Sequence, residues 1–165
     1  MPKRYLFLLL LAAVFASCTT RYYLVRHAER LDASADSPLS TAGFARANVL
    51  RDSLLPKGIG RIYVSTLVRT QQTAQPLADA LQLPLQLYRP DTTTAFITAL
   101  DHIRGMNVLV VGHSNNIPQI VEGLSGTLTP IHENDFDNLF IVTVKTGWGK
   151  TRRTLVQTTY GPPSP

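Results

Sequence analysis

Short apolar runs along the chain alternate with longer segments in which apolar residues recur every three or four positions. The runs Tyr22–Val25 and Arg61–Ser65 predict buried strands, and Leu83–Leu87 predicts a shorter one. Asn107–Val111 is the strongest strand pattern, because its unbroken apolar character is typical of a central parallel strand covered on both faces.

A helix is predicted over residues 40–55, with Ser40 as its N-cap and with Pro56 and Gly58 at its end. We expect its buried face to consist of Ala42, Ala45, Val49 and Leu50.

Apolar residues at 74, 77, 78 and 81 have the spacing of one face of a second helix. Pro76 lies inside this stretch and is expected to start the regular helix or to kink it, because it cannot donate a backbone hydrogen bond. Residues 94–104 and 117–124 are predicted to be the remaining helices.

The C-terminal part of the chain has the pattern of a β-hairpin. Two strand-like segments, Asn138–Lys145 and Lys150–Thr158, flank the glycine-containing turn 146–149. The alternation of strands and helices before it predicts a doubly wound α/β sandwich with a mostly parallel sheet and this hairpin at its edge. We expect one domain over residues 21–160 and a disordered tail at 161–165.

The N-terminus has the pattern of a secretion signal that is removed from the folded domain. A basic start at Lys3 and Arg4 precedes an apolar run from Tyr5 to Phe15 that is short for a bilayer span. The following Ala-Ser-Cys18 resembles a bacterial lipobox, although Phe15 stands where leucine is usual. Residues 1–17 are therefore expected to be a lipoprotein signal peptide, with Cys18 as the lipidated mature N-terminus.

This interpretation predicts an extracytoplasmic lipoprotein, anchored to a membrane in the bacterial periplasm or at the cell surface. The alternatives are an ordinary signal peptide with an incidental cysteine, or an uncleaved anchor. Cys18 is the only cysteine of the chain, so no intramolecular disulfide is expected.

Length and composition indicate one ordinary globular domain. The chain has 165 residues, of which 44% are hydrophobic and 16% charged, and this excludes a disordered protein. The net charge of +5 becomes +3 without residues 1–17, because that segment holds two of the 16 cations and none of the 11 acids. With no run of basic residues and no ladder of aromatic residues, nucleic acid is not expected as a partner. The mild positive charge suits a small anionic substrate.

Charged side chains with catalytic potential follow three of the predicted strands. Arg26 and His27 follow the first strand, Arg69 lies shortly after the second, and His113 follows the strand at 107–111. Because the carboxyl ends of parallel strands meet at one edge of a sheet, these four side chains are expected to share a pocket.

These residue types suit phosphoryl transfer. A guanidinium donates two parallel hydrogen bonds to phosphate oxygens, and two of them can neutralise the charge of a transferring phosphoryl group. A histidine can attack phosphorus through one ring nitrogen if the other nitrogen holds the proton. Neither a metal nor another cofactor is needed, since the protein itself supplies the positive charge.

Four motifs in this order resemble those of the histidine phosphatase superfamily, which includes the phosphoglycerate mutases. They are Arg26–Glu29 (Arg-His-Ala-Glu), Leu39–Gly43 (Leu-Ser-Thr-Ala-Gly), Ser65–Ala74 (Ser-x-x-x-Arg-x-x-Gln-Thr-Ala in the family) and Val111–Asn115 around the second histidine. The resemblance runs from Tyr22 to about Gly126. It implies a three-layer α/β/α sandwich and a phosphomonoester hydrolase.

The resemblance also implies roles for individual residues. His27 would be the nucleophile that becomes phosphorylated, and Arg26, Arg69 and His113 would hold the phosphoryl group. Mutase activity is less expected, because few residues separate Arg69 from the strand at 107–111 and the relevant mutases carry longer insertions there.

The general acid is expected among the carboxylates near the predicted site. Many family members carry an acid a couple of dozen residues after the second arginine, and Asp91 is the carboxylate in that stretch. Glu29 is the second candidate, and a branch of the family manages without a recognisable acid. Glu29 and Asn115 are further candidates for substrate binding, although Glu29 can instead orient an arginine and Asn115 can cap the next helix.

Two other functions fit parts of the sequence. Gly112–Asn116 resembles the nucleophile elbow of serine α/β-hydrolases, with Ser114 as nucleophile, but Asn116 replaces the final glycine. Downstream of Ser114 the only histidine is His132, and Glu122 is the only acid between them, so the triad order is not satisfied. The second alternative is a lipoprotein that binds phosphorylated ligands without turnover. For an active enzyme, the expected substrate is a small phosphorylated metabolite or a phosphoprotein.

Overall fold

The computed structural model describes residues 18–147 and 149–164. The expected signal peptide at 1–17 lies outside the described residues. The strands are β1 (Cys18–Arg26), β2 (Ile59–Ser65), β3 (Leu85–Tyr88), β4 (Asn107–Gly112), β5 (Asn138–Gly147) and β6 (Lys150–Thr159). The helices are α1 (Thr41–Leu54), α2 (Val68–Leu81), α3 (Thr93–Asp101) and α4 (Ile117–Ser125). Within the described residues, no helix is long and apolar enough to cross a membrane.

The six strands form one mixed sheet in the order β3-β2-β4-β1-β5-β6. Strands β1 to β4 are parallel, so their carboxyl ends lie at a common edge. Strand β5 runs antiparallel to β1, and β6 pairs with β5 at the end of the sheet. The predicted α/β sandwich with a C-terminal hairpin at the sheet edge is confirmed.

Each face of the sheet has its own hydrophobic core, because successive side chains of a strand point to opposite faces. Tyr22 and Leu24 pack on one face with residues of α3 and α4, such as Phe96 and Ile120. The other face packs Val25 and its neighbours against α1 and α2. The sheet is therefore covered on both sides, which makes three layers.

Helix α1 begins as predicted, but its buried face agrees only in part with the predicted one. The Ser40 hydroxyl caps it by accepting from the Gly43 amide at 3.1 Å. Its buried residues are Gly43, Arg46, Ala47, Leu50 and Leu54, whereas Ala42 and Ala45 are exposed. The prediction was right for Leu50 and Val49, which pack in the core, and wrong for Ala42 and Ala45, because small apolar residues occur on both sides of this helix. A Cβ at Gly43 would overlap the Glu29 carbonyl oxygen, so close approach of the backbones selects the buried side.

Helix α2 starts at Val68, six residues before Ala74, where the apolar spacing predicted from the sequence begins. Pro76 lies inside the helix. Pro76 therefore does not start the helix. The first turns of α2 were missed because their buried residues are polar. Thr70 shares a hydrogen bond of 3.0 Å with Ser65, and Thr73 accepts from the Ala28 amide at 2.9 Å.

The tail residues 161–164 are held against the domain, in contrast to the disorder expected from the sequence. Arg46 donates to the Pro162 carbonyl at 2.9 Å. The Ser164 hydroxyl accepts from the amides of Phe136 and Asp137 at 2.7 and 3.1 Å. These hydrogen bonds join the tail to the loop that precedes β5, which composition alone does not indicate.

Candidate active site

The predicted catalytic side chains meet in a cleft of about 280 Å³ at the carboxyl edge of the parallel strands. Arg26 ends β1, and the next amide, that of His27, donates to the Gly112 carbonyl at 2.9 Å. His113 follows β4, and Arg69 lies in the first turn of α2. The cleft is lined by Arg26, His27, Arg30, Leu67, Arg69, Pro90, His113, Ser114, Asn115 and Glu133.

The ring of His27 is held in one orientation by its own neighbour. Its Nδ1 lies 2.7 Å from the Ala28 carbonyl oxygen. A carbonyl can only accept a hydrogen bond, so Nδ1 holds the proton of the neutral ring and Nε2 holds the lone pair. The Ala28 amide is itself bonded to Thr73 of α2, which fixes this turn. The orientation therefore leaves Nε2 as the nucleophilic nitrogen.

Burial is the main cause that lowers the pKa of His27 to about 3, with smaller contributions from the charge of Arg26 and from His113. Burial likewise lowers the pKa of His113 to about 4, together with Arg69 and Arg26. Both rings are consequently neutral at neutral pH. A neutral His27 is ready to attack without losing a proton first.

A loop before β5 positions Arg26. One guanidinium nitrogen, Nη1, donates to the carbonyls of His132 at 3.2 Å, of Glu133, and of Asp135 at 3.4 Å. The guanidinium carbon lies 4.2 Å from the ring centre of Phe136. Burial lowers the pKa of Arg26 to about 10, so the side chain stays charged at neutral pH.

Two buried guanidinium nitrogens have no hydrogen-bond partner within the described part of the chain. They are the Nε atoms of Arg26 and Arg69, and both residues line the cleft. A buried donor without an acceptor is costly, and bound phosphate oxygens are acceptors for such donors. Arg69 is held in place through Nη1, which donates to the Ala35 carbonyl at 2.8 Å. These two donors equip the cleft for an oxyanion.

His113 is held by a chain of polar groups behind the cleft. Its backbone amide donates to the Asn116 side chain at 2.7 Å, and Asn116 in turn donates to the Tyr88 hydroxyl at 3.1 Å. The ring Nε2 lies 2.8 Å from the Ser65 hydroxyl. Asn116 therefore acts as a positioning residue for His113.

The structure does not bring every predicted site residue into the cleft. Asp91 lies outside its lining, in a short 3₁₀ turn, where its carboxylate pairs with Arg89 at 2.9 Å. The hydrogen bond from Arg89 lowers the pKa of Asp91, which works against proton donation. Glu29 is also directed elsewhere, because it pairs with the buried Arg46 at 2.7 Å. Asn115 does line the cleft.

Sequence reasoning missed the contribution of the loop 132–137. Glu133 is the carboxylate that lines the cleft, and Phe136 lies against Arg26 and 6.1 Å from the His27 ring centre. No periodicity marks this segment, and it is over 100 residues from Arg26 in the chain. The segment is mostly polar and has no regular pattern, so the sequence did not indicate that it contacts the site.

The geometry gives no support to Ser114 as the nucleophile of a serine hydrolase. Ser114 lines the cleft, but the neighbouring His113 ring is bonded to Ser65 instead. In the described residues, the side chain of His132 is exposed, and only its backbone carbonyl contacts the site.

The buried histidines are expected to make the fold sensitive to acid. Their pKa values near 3 and 4 lie below the ordinary 6.5, so protonation favours the unfolded chain. The stabilisation is complete above about pH 6.5 and is lost as the pH falls toward 4, by roughly 2 kcal/mol per histidine at pH 5. Denaturant unfolding at pH 7.5 and pH 5 measures this loss. The double variant His27→Asn/His113→Asn should lose clearly less than the native chain, and an equal loss in both would contradict the assignment.

Comparisons with known proteins cover the part of the chain that carries the first three sequence motifs, which are Arg26–Glu29, Leu39–Gly43 and Ser65–Ala74. Residues 22–89 match the family model described as the histidine phosphatase superfamily (branch 1). Proteins described as probable phosphoglycerate mutases GpmB, from Yersinia pestis (strain Pestoides F) and Yersinia pseudotuberculosis, are 40% identical to the chain over 70 residues. The match covers 38% of this chain and 33% of those proteins, so it spans about a third of the relatives' length.

Solved structures share the fold over most of the chain. A protein histidine phosphatase SixA complexed with tungstate has a TM-score of 0.61 and 22% identity, over 84% of this chain and 96% of its own. A phosphoserine phosphatase from Entamoeba histolytica, in complex with 3-phosphoglyceric acid, has a TM-score of 0.60 and 15% identity, over 87% and 97%. Mycobacterial hydrolase 2 has a TM-score of 0.65 and 13% identity, over 84% and 89%.

Proposed function

We propose that this chain, which has homologues in the histidine phosphatase superfamily, hydrolyses phosphomonoesters through a phosphohistidine intermediate at His27. One observation carries the proposal. The neutral His27 ring presents a free Nε2 in a cleft where two buried arginine nitrogens lack acceptors. A phosphoryl group satisfies both requirements at once, since it offers an electrophilic phosphorus and the missing oxygens.

The reaction would proceed in two displacements. In the first, His27 Nε2 forms a bond to phosphorus while the ester P–O bond breaks, and the leaving oxygen takes up a proton. In the second, a water oxygen attacks the same phosphorus and the P–N bond breaks. The water gives one proton to the group that protonated the leaving oxygen, and inorganic phosphate leaves. Arg26 and Arg69 stabilise the charge on the phosphoryl oxygens in both steps. His113, whose pKa is lowered by burial, donates a hydrogen bond to the phosphoryl group or takes up a proton when the dianion binds.

Turnover separates this proposal from a lipoprotein that only binds phosphorylated ligands. Purified protein should release phosphate from a generic ester such as p-nitrophenyl phosphate. Binding of phosphate or tungstate without any turnover would favour the non-catalytic alternative. Transfer of the phosphoryl group within phosphoglycerate, in preference to water, would indicate a mutase.

Glu133 is a better candidate for the general acid than Asp91. Its carboxylate side chain lines the cleft and lies 3.7 Å from the Arg30 guanidinium. Asp91 is paired with Arg89 and has a lowered pKa. A proton donor must reach the leaving oxygen, so position in the cleft is the first requirement and pKa the second.

Leaving groups of different basicity test this assignment. With a poor alkyl leaving group, Glu133→Gln should slow turnover by about 10² to 10⁴, the usual contribution of a positioned acid. With a nitrophenyl leaving group, which needs little protonation, the same variant should lose far less. Asp91→Asn is the matched control, because Asp91 lies near the cleft but does not line it. This variant should change the turnover of either substrate little. If only Asp91→Asn slowed turnover of the alkyl substrate more than that of the nitrophenyl substrate, Asp91 would be the general acid instead.

The substrate class proposed is a small phosphorylated metabolite or a phosphoprotein. The cleft opens at the surface, where its lining includes Arg30 and Glu133, whose side chains are 35% and 80% exposed. Solved structures with a similar fold include a protein histidine phosphatase and a phosphoserine phosphatase. Their names indicate a phosphoprotein and a small phosphorylated metabolite as substrates. A panel of phosphomonoesters and phosphorylated proteins, ranked by kcat/KM, distinguishes between them.

We propose that the protein is attached to a membrane through a lipid on Cys18. Cys18 is the first described residue, lies opposite Thr146 in the sheet and is partly exposed. A lipid on this residue would tether the domain with almost no linker, in an extracytoplasmic compartment. Cys18→Ala should release the protein from membranes or stall its processing, as seen by fractionation and mass spectrometry. Unchanged membrane attachment together with unchanged mass in that variant would contradict the proposal.

A further inference from the structure

We propose that the end of the sheet opposite the cleft, where the parallel strands begin, is a docking surface for anionic phospholipid headgroups. Docking there would hold the cleft away from the membrane. The surface is named the basic edge and is defined by four exposed cations. They are Lys57, Arg104, Lys145 and Lys150. This inference concerns a different surface from the catalytic cleft and does not depend on hydrolysis there.

The sheet brings these four residues to the amino end of β1. Lys145 lies opposite Thr19, and Lys150 pairs with Gly147, one position beyond the partner of Cys18. Arg104 precedes Gly105, whose backbone lies so close to the Cys18 sulfur that a Cβ there would come within 3.1 Å of it.

Lys57 reaches the same edge through the strand next to β1. Its carbonyl accepts a hydrogen bond of 2.6 Å from the side chain of Asn107, the first residue of β4, and Asn107 lies opposite Arg21 of β1. The basic edge is therefore one contiguous end of the sheet, formed by turns that are far apart in sequence.

Charge is distributed unequally between the two ends of the sheet. Within the described residues, the turns at the basic edge contain no carboxylate. These turns are 55–58, 82–84, 102–106, 145–147 and 149–150. The turns at the cleft end contain seven, namely Glu29, Asp32, Asp36, Asp91, Glu133, Asp135 and Asp137. The positive surplus of the chain is thus concentrated at the end remote from the cleft, which suits an extended anionic partner rather than a substrate.

The position of Cys18 indicates a bilayer as that partner. The seventeen residues before Cys18 begin with two cations and continue as an apolar run, and they join the domain at the basic edge. A lipid or an apolar segment at this point would place the four cations at headgroup level, where an anionic surface attracts them. Attraction and tether would therefore act on the same face of the domain.

Docking in this way sets the orientation of the cleft. Strand β1 runs from Cys18 at the basic edge to Arg26 at the cleft. Its eight steps of about 3.3 Å separate the two ends by roughly 26 Å, several Debye lengths at physiological salt. The cleft would face the aqueous phase, open to dissolved or protein-bound phosphate esters and out of reach of lipid headgroups.

Vesicle flotation tests the surface without the lipid anchor. The probe is the chain from residue 18 carrying Cys18→Ser, which retains the domain that the structure describes as folded. It should float with vesicles that contain phosphatidylglycerol and not with vesicles of phosphatidylcholine alone. The double variants Lys145→Glu/Lys150→Glu and Lys57→Glu/Arg104→Glu should each weaken binding at least about tenfold. Arg51→Glu/Arg89→Glu reverses the same number of exposed or half-exposed charges elsewhere and should retain binding.

Several results would overturn the inference. They are equal binding to neutral vesicles, equal weakening in the Arg51/Arg89 control, or binding to duplex DNA as tight as that to anionic vesicles. Since the probe carries no lipidation site, these results are independent of whether Cys18 is lipidated and whether the cleft is active.

A single dye label reports the orientation. In the Cys18→Ser background, an environment-sensitive dye is attached at Thr151→Cys beside the basic edge, or at Ser34→Cys in an exposed turn at the cleft end. On anionic vesicles, the emission should shift to the blue for the label at 151 and stay unchanged for the label at 34. A shift at 34 instead would place the cleft end on the membrane and overturn the proposed orientation.

Discussion

His27→Ala is expected to reduce the turnover of a phosphomonoester by several orders of magnitude, to about the level left by phosphate binding alone. The variant removes the nitrogen that attacks phosphorus, and water would have to attack in its place. Arg26, Arg69 and His113 would remain to bind the substrate, so KM should change much less than kcat. Steady-state kinetics with p-nitrophenyl phosphate measures both quantities.

A matched control for this variant is His102→Ala. His102 is exposed at the end of α3, away from the cleft, so its removal should leave kcat within about twofold of the native value. If His27→Ala kept turnover within tenfold of the native chain, the nucleophile would have to be another group.

Arg26→Lys is expected to lower kcat/KM by about 10² to 10³, although the charge is kept. Lysine cannot supply the two parallel donors of a guanidinium, and its ammonium cannot bond to the loop carbonyls and to phosphate oxygens at the same time. The three carbonyls that Arg26 now binds and the face of Phe136 would lose their partner. Turnover and thermal unfolding should be measured on the same preparation, because only the loss of turnover reports on the phosphoryl group.

Arg30→Lys is the control for Arg26→Lys. Arg30 lines the mouth of the same cleft, but its side chain is 35% exposed and its ion pair with Glu133 is long, at 3.7 Å. We expect less than a tenfold effect, since exposed charges of this kind contribute little. Similar losses in both variants would mean that Arg26 has no special place in the reaction.

The sequence predicted which side chains share the cleft because two simple rules act together. Apolar runs identify the strands, and the carboxyl ends of parallel strands share one edge. These rules bring His27 and His113 together, and the structure places their ring centres 5.4 Å apart. Arg69 was found for the same reason, since α2 begins directly after β2.

Contacts made by irregular segments could not be predicted in this way. The loop 132–137 has no periodicity, yet its carbonyls hold Arg26 and Glu133 enters the cleft. Arg46 is buried in α1 because Glu29 and the carbonyl of Pro162 satisfy it, and neither partner is near it in sequence. Such long-range polar contacts depend on the assembled fold rather than on any local pattern.

Asp91 illustrates how a local neighbour can override a positional argument. Its distance from Arg69 along the chain suggested an acid, but Arg89, two residues earlier, pairs with its carboxylate. The net charge was uninformative for a related reason. A single total of +5 does not reveal that four exposed cations are grouped at the end of the sheet remote from the cleft.

Rapid quenching during turnover tests the central proposal most directly. The native chain, mixed with a substrate that carries a radioactive phosphoryl group, should yield a labelled protein that is stable in base and labile in acid. Proteolysis should place the label on the peptide that contains His27, and His27→Ala should show none. Absence of label under conditions of turnover, label on Ser114, or label that survives in His27→Ala would contradict the proposed phosphohistidine.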